Sequence, residues 1–256
     1  MAYASKEIVL ITGGNQGLGF QVAKKLLTDH SDRFFCFLGS RTPSKGEVAV
    51  KELQDSGLTG CEAIEIDVSK DDSIAQAAKV VEQKAGRVDV LHVNAGVAPD
   101  KDWNRTTDPL SILLRETFET NVIGAAQTAQ TFVPLLSKSD NPRIIFMSSG
   151  LGSLTRAAQG GTNKDWPAYA TSKAALNMVM LWFAGEYPGW KVNSCAPGFR
   201  ATAMNNNGEA VKTSKPGKLE DGALNAVRLS LLGKDGETGT FTARNDSTGE
   251  IKQTPW

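Results

Sequence analysis

An α/β fold, a doubly wound parallel sheet with helices on both faces, is what this sequence predicts, and three observations carry it. Short β-rich runs alternate with longer helix-patterned segments from end to end. The short runs are apolar nearly throughout, as strands covered on both faces require. A glycine-rich turn separates the first run from the first helix, where such folds hold a dinucleotide. With 256 residues, 40% of them hydrophobic, and no repeat or low-complexity tract, the chain reads as one domain over 1–256.

The elements follow in order. Ile8-Val9-Leu10-Ile11-Thr12 opens the sheet, and the glycine turn leads into a helix over 17–28. Phe34-Phe35-Cys36-Phe37-Leu38 is the second strand, with a helix over 45–56, and the run at 63–66 is the third, with a helix over 71–85. Strands at 88–93, 143–147 and 191–195 follow, separated by helices over 109–137 and 168–186. A helix over 219–232 and a short strand at 239–242 close the pattern. Strict alternation implies parallel strands joined by right-handed crossovers. Two polar, turn-rich segments, 150–167 and 203–217, stand outside it. Both follow strand ends, so both are candidate walls or lids of a pocket.

Lys plus Arg equals Asp plus Glu at 28 each, which gives no electrostatic reason to propose nucleic acid or an anionic membrane as partner. No signal-peptide pattern and no bilayer-spanning apolar run is seen, so the expected location is cytoplasmic. Cys36, Cys61 and Cys195 read as buried reduced thiols, and His30 and His92 are too few for a metal centre.

The chemistry-bearing residues cluster at strand ends. Gly13, Asn15, Gln16, Gly17, Leu18 and Gly19 form a G-x-x-x-G-x-G turn that lets backbone N–H groups approach a pyrophosphate at the helix N-terminus. After the second strand, Ser40-Arg41 stands where NAD-selective proteins place an acid. Arg41 suits a ribose 2′-phosphate, which favours NADP over NAD; the plainer reading is a solvated Arg. Asp67-Val68 either meets an adenine ring or caps the helix near Asp71. Asn94-Ala95-Gly96 lets backbone pass close to a ligand, or is a plain strand exit. Asn121, a poor helix former inside a helix, faces solvent or has a task. Ser149 ends the fifth strand, and Pro197-Gly198 with Thr202 follows the sixth. Tyr169 and Lys173 are one helical turn apart, where the ammonium favours the phenolate and lowers the phenol pKa toward the range useful for proton transfer.

In this order and at these strand ends, the motifs resemble those of the short-chain dehydrogenase/reductase family over the whole length, and those of its carbonyl-reductase-like members in particular. The resemblance implies a Rossmann fold and an NADP(H)-dependent reduction of a ketone or aldehyde, or the reverse. It implies Tyr169 as general acid/base and Ser149 as the group polarising the carbonyl. Lys173 lowers the Tyr169 pKa and binds the nicotinamide ribose; Asn121 holds a relay water; Thr202 with Pro197-Gly198 meets the carboxamide. Many relatives are homodimers or homotetramers through the fourth and fifth helices, while carbonyl-reductase-like ones include monomers.

Two features depart from the pattern. Ser149 and Tyr169 are twenty residues apart, longer than is usual, although Lys164-Asp165-Trp166-Pro167 is similar to carbonyl-reductase-like members. Ser148 and Ser153 are therefore rivals to Ser149. Gln16 stands where many NADP users carry a basic residue, leaving the 2′-phosphate to Arg41. Trp103, Trp166, Trp182 and Phe199 suggest an aromatic-lined pocket for a bulky substrate. The rival functions are a dinucleotide sensor without turnover and a reductase acting on C=N.

Overall fold

The computed structural model describes residues 5–161, 165–208 and 215–256. Eight strands form one sheet in the order β3-β2-β1-β4-β5-β6-β7-β8. They are β1 (Glu7–Ile11), β2 (Phe34–Ser40), β3 (Cys61–Glu65), β4 (Val90–Val93), β5 (Arg143–Met147), β6 (Lys191–Ala196), β7 (Phe241–Arg244) and β8 (Ile251–Gln253). The first seven run parallel, with Ile8 beside Phe35 and Leu91 beside Leu10 and Ile144. Alternate residues of β1 feed opposite faces. Ile8 and Leu10 join Phe132, Phe146 and Phe183 on one side; Val9 and Ile11 join Leu26, Phe34 and Ile145 on the other. Both faces are thus dry, and each such side chain contributes about 1.5–3 kcal/mol by leaving water.

The helices are α1 (Gly17–Asp29), α2 (Pro43–Asp55), α3 (Asp71–Ala85), α4 (Leu110–Phe118), α5 (Ala125–Leu136), the single turn α6 (Leu154–Arg156), α7 (Pro167–Glu186) and α8 (Leu224–Ser230). Three expectations need correction. The helix read over 109–137 is α4 and α5 joined by a wider π-turn, Glu119–Gly124; there a Cβ on Gly124 would fall 2.1 Å from the Val68 carbonyl oxygen. The strict parallel pattern ends at β7, because β8 returns antiparallel with Thr242 opposite Gln253. Segment 150–167 is not plain loop. It holds a 3-10 turn at Gly150–Gly152, then α6 and a further helical stretch at Ala157–Gly161.

The residues after β8 close on this segment. Ser153 Oγ donates to the Pro255 carbonyl (2.6 Å), the Thr155 N–H donates to a Trp256 carbonyl oxygen, and the Trp256 ring packs on Phe241 at 5.8 Å. Among the described residues, no helix is long and apolar enough to cross a membrane and no cluster of metal-ligating side chains occurs. All three cysteines are free and buried.

Beneath the sheet centre, His92 is fully buried with Nε2 2.8 Å from Ser230 Oγ and Nδ1 without a partner. Burial first, and the Arg143 charge second, push its pKa down from 6.5 to about 3. The folded state therefore resists a proton that the unfolded chain accepts. Its stability from this site is full above pH 6.5 and is lost as pH falls toward 3, by on the order of 1 kcal/mol per pH unit. Urea midpoints measured between pH 7 and 5 should fall in the parent and fall less in His92→Gln. Equal slopes would remove His92 as the cause.

Candidate active site

A cleft of about 650 Å³ opens beyond the carboxyl ends of β1, β2, β4, β5 and β6, where the strand order reverses between β1 and β4. Its floor is stitched by Thr12. The Thr12 hydroxyl accepts the N–H groups of Asn94 and Ala95 (3.0 Å each), and Asn94 Nδ2 returns a bond to the Thr12 carbonyl (2.8 Å). The glycine turn folds against this stitch. Gly13 and Gly17 take φ of +64° and +56°, which L side chains rarely adopt, and a Cβ on Gly19 would sit 2.5 Å from the Gly13 carbonyl oxygen. The turn presents Gly13, Asn15, Gln16, Gly17 and Leu18 to the cleft.

At the end formed by β2 and β3, Ser40, Arg41, Asp67 and Val68 line the cleft, as does Lys45. Arg41 is exposed and Lys45 lies four residues on, so two cations face one wall. Lys45 was not expected, because Arg41 lies before α2 and Lys45 in its first turn, so no helical spacing links them. The Ser40 hydroxyl is tied to its own turn, donating to the Thr42 carbonyl at 2.8 Å. Asp67 does not cap α3, whose boundary residue is Lys70 with no side-chain cap. Its carboxylate instead accepts the Ser69 N–H and hydroxyl (3.1 and 2.7 Å).

At the other end stand Ala95, Gly96, Met147, Ser148, Tyr169, Lys173, Pro197 and Thr202. Gly19 and Gly198 support the cleft without lining it; Gly198, at φ +77°, covers the Arg200 guanidinium. Asn121 is buried and its amide is occupied by protein. Oδ1 accepts the Val97 N–H (2.8 Å), while Nδ2 donates to the Val97 carbonyl (2.9 Å) and to Ser172 Oγ (3.0 Å). It clamps the loop after β4 to α7, and one Oδ1 lone pair is what its side chain has left for a water.

Of the three rival serines, Ser148 lines the cleft and Ser149 and Ser153 do not, and their hydroxyls have different partners. Ser149 and Tyr169 share a hydrogen bond, and Ser149 Oγ also accepts the Leu151 N–H (3.2 Å). Ser148 Oγ points to the Lys173 carbonyl at 3.5 Å. Ser153 is spent on Pro255 and on capping α6 through the Arg156 N–H.

Tyr169 and Lys173 do share one face of α7, with the Lys173 Nζ 5.5 Å from the Tyr169 ring centre. Lys173 is 3% exposed and donates to the Met147 carbonyl at 2.8 Å, which pins α7 to the end of β5. The expected lowering of the phenol pKa is not what this arrangement produces. Burial pushes Tyr169 up to about 12, against the Ser149 hydrogen bond and with help from the Asp100 carboxylate. Burial likewise pushes Lys173 down to about 8. At neutral pH the phenol is a proton donor.

The expected aromatic lining is absent among the described residues, where Tyr169 is the one aromatic side chain in the cleft wall. Trp166 is buried edge-on to Tyr169. Trp103 Nε1 is turned to the Asp108 carbonyl, Trp182 is exposed on α7, and Phe199 lies outside the lining. The cleft lining also carries the aliphatic side chains of Val97, Ala98, Pro99 and Met204, and Lys101.

A doubly wound sheet with a glycine-rich first turn, and Ser, Tyr and Lys converging at its strand ends, defines an α/β oxidoreductase. Residues 7–212 match the short chain dehydrogenase family, and the chain belongs to it. It is 47% identical to the short-chain dehydrogenase/reductase ATR10 of Stachybotrys chlorohalonatus, over 99% of this chain and 95% of that one. It is 38% identical to the short-chain dehydrogenase anuI of Penicillium roqueforti, over 93% of each chain. The NADPH-bound carbonyl reductase from chicken fatty liver superposes with a TM-score of 0.80 at 25% identity, covering 98% of this chain and 99% of that one.

Proposed function

We propose that the protein is an NADP(H)-dependent reductase of a ketone or aldehyde, carried by Tyr169 and Lys173 at one end of a cleft, with Ser149 bonded to the phenol just outside the lining, and by Arg41 and Lys45 at the other end. The cleft suits a dinucleotide. Gly13 and Gly17 leave its floor open to backbone donors, and a cation pair at the β2 end suits a 2′-phosphate. The backbone of 13–18 would hold the pyrophosphate, Asp67 and Val68 the adenine side, and Lys173, Pro197 and Thr202 the nicotinamide side. When bound, the cofactor supplies hydride to the carbonyl carbon.

The chain's own residues do the rest. The Ser149 hydroxyl donates to the carbonyl oxygen and orients it beside Tyr169. The Tyr169 hydroxyl delivers its proton to that oxygen as negative charge develops there. Lys173, held by the Met147 carbonyl, keeps α7 in register with β5 and places a positive charge near the resulting phenolate. In alcohol oxidation the proton returns to Tyr169. The aliphatic part of the lining favours an apolar substrate. Exposed Ile112, Ile123, Met178 and Trp182 support self-association through the helices after β4 and β5.

Turnover of NADPH and of NADH against a panel of aliphatic and aromatic ketones and aldehydes tests the reading. Reduction is expected with NADPH preferred, and binding without turnover on any carbonyl would favour a sensor. Arg41→Ala combined with Lys45→Ala should lower the NADPH-over-NADH ratio by about 10- to 100-fold, the value of one or two charge-assisted hydrogen bonds. An unchanged ratio would remove both cations from 2′-phosphate recognition.

A further inference from the structure

Asp100 belongs to none of the motifs above and lies outside the cleft lining, yet it holds the backbone of the reactive residue. It sits in the 3-10 turn Pro99–Asp102 and is 4% exposed. Its carboxylate accepts the Ala168 N–H at 2.8 Å and the Tyr169 N–H at 3.2 Å to each oxygen. The start of α7 needs this partner. Pro167 has no N–H, and the boundary residue Trp166 supplies no side-chain cap, so the next two N–H groups would otherwise be orphaned in the interior. Their acceptor arrives from 68 and 69 residues earlier in the chain.

The charge is harder to explain than the cap. Among the described residues no Lys or Arg is paired with Asp100, and a buried carboxylate without a cation is costly. The N–H donors and the positive end of the α7 dipole offset that cost. A neutral Asn or Ser would cap the helix comparably without it. What the charge adds is felt next door, since an anion behind the Tyr169 backbone opposes a second anion on the phenol.

We propose that Asp100 is a positioning residue: it fixes the first turn of α7 so that Tyr169 meets Ser149, and its charge keeps the phenol proton in place until a substrate oxygen takes it. This rests on the reductase reading and gives the site a bias toward proton donation. The other titratable groups around the phenol are Lys173 on its own helix and Cys195 on β6 behind Lys173. Lys101, ion-paired with Asp102, lines the cleft from the Asp100 turn itself.

Asp100→Asn keeps an acceptor for the helix and removes the charge. Ultraviolet difference titration of each protein against its Tyr169→Phe counterpart reads the Tyr169 phenolate without any need for turnover. The phenolate signal is expected to appear about one pH unit lower in Asp100→Asn than in the parent. The alkaline limb of carbonyl reduction should move down with it. Asp100→Ser repeats the test with a second neutral cap should the Asn variant fold poorly. Titrations that coincide with the parent in both folded variants would overturn the charge role. A shifted titration with no turnover on any carbonyl would uphold the Asp100 assignment while sinking the reductase reading beneath it.

Discussion

Tyr169→Phe should lower carbonyl reduction by about 10²- to 10⁴-fold, the usual worth of a positioned general acid, while NADPH affinity changes less than about threefold. The ring is half-buried and packs edge-on to Trp166, so removal of one oxygen leaves the packing of α7 intact. What disappears is the hydrogen bond to Ser149 and the proton for the developing alkoxide. Single-turnover reduction measured beside NADPH titration separates the two effects. Activity retained within tenfold would refute the acid role, and a matching loss of affinity would show that the phenol serves binding instead. Because burial holds the phenol near 12 and Asp100 adds to that, the parent should reduce with little pH dependence from this group through neutrality. Oxidation of the alcohol, which needs the phenolate, should rise with pH.

The second large effect is expected from a single methyl group. Gly19→Ala places a Cβ 2.5 Å from the Gly13 carbonyl oxygen and 2.6 Å from Asn94 Nδ2. Neither neighbour is free to yield, because Asn94 Nδ2 bonds to the Thr12 carbonyl and to the Gly13 carbonyl itself. The turn must lift from the end of β4. Overpacking of this kind costs about 1–3 kcal/mol, and the misplaced backbone donors should weaken NADPH binding by at least about tenfold. Gly185→Ala is the control, since its added Cβ has no atom within 4 Å and Ala favours the helix. Equal affinity in the two variants would show that the glycine turn is not a cofactor contact.

Much of this was legible in residue pattern because the relevant forces are local. Runs such as Phe34-Phe35-Cys36-Phe37-Leu38 announce buried parallel strands, and β1 to β6 stand where such runs stand. The site residues sit at strand ends or within one helical turn, so spacing alone brings Tyr169 and Lys173 together. The misses are of a different kind. Ile251-Lys252-Gln253 carries one apolar residue, too little signal to announce β8. The π-turn at 119–124 brings Gly124 against the Val68 carbonyl, a contact between distant segments that no local pattern announces. Asp100 finds its partners 68 residues away, and no spacing rule reaches that far. The aromatic pocket failed because tryptophan composition says what a chain carries and not where its rings point.

The tie between Ser153 and Pro255 spans 102 residues, and it bears on the timing of assembly. The segment between Ser149 and Tyr169 cannot take its final anchorage until the last strand has paired and residues 255 and 256 have arrived. Contacts this remote form late, since the chain between them must first be ordered. The glycine turn and its β1–β2 support can form much earlier on a growing chain. During synthesis, the half that would grip a dinucleotide therefore precedes the half that would act on a substrate, whose anchorage waits for the strand β8 and the contact at Pro255.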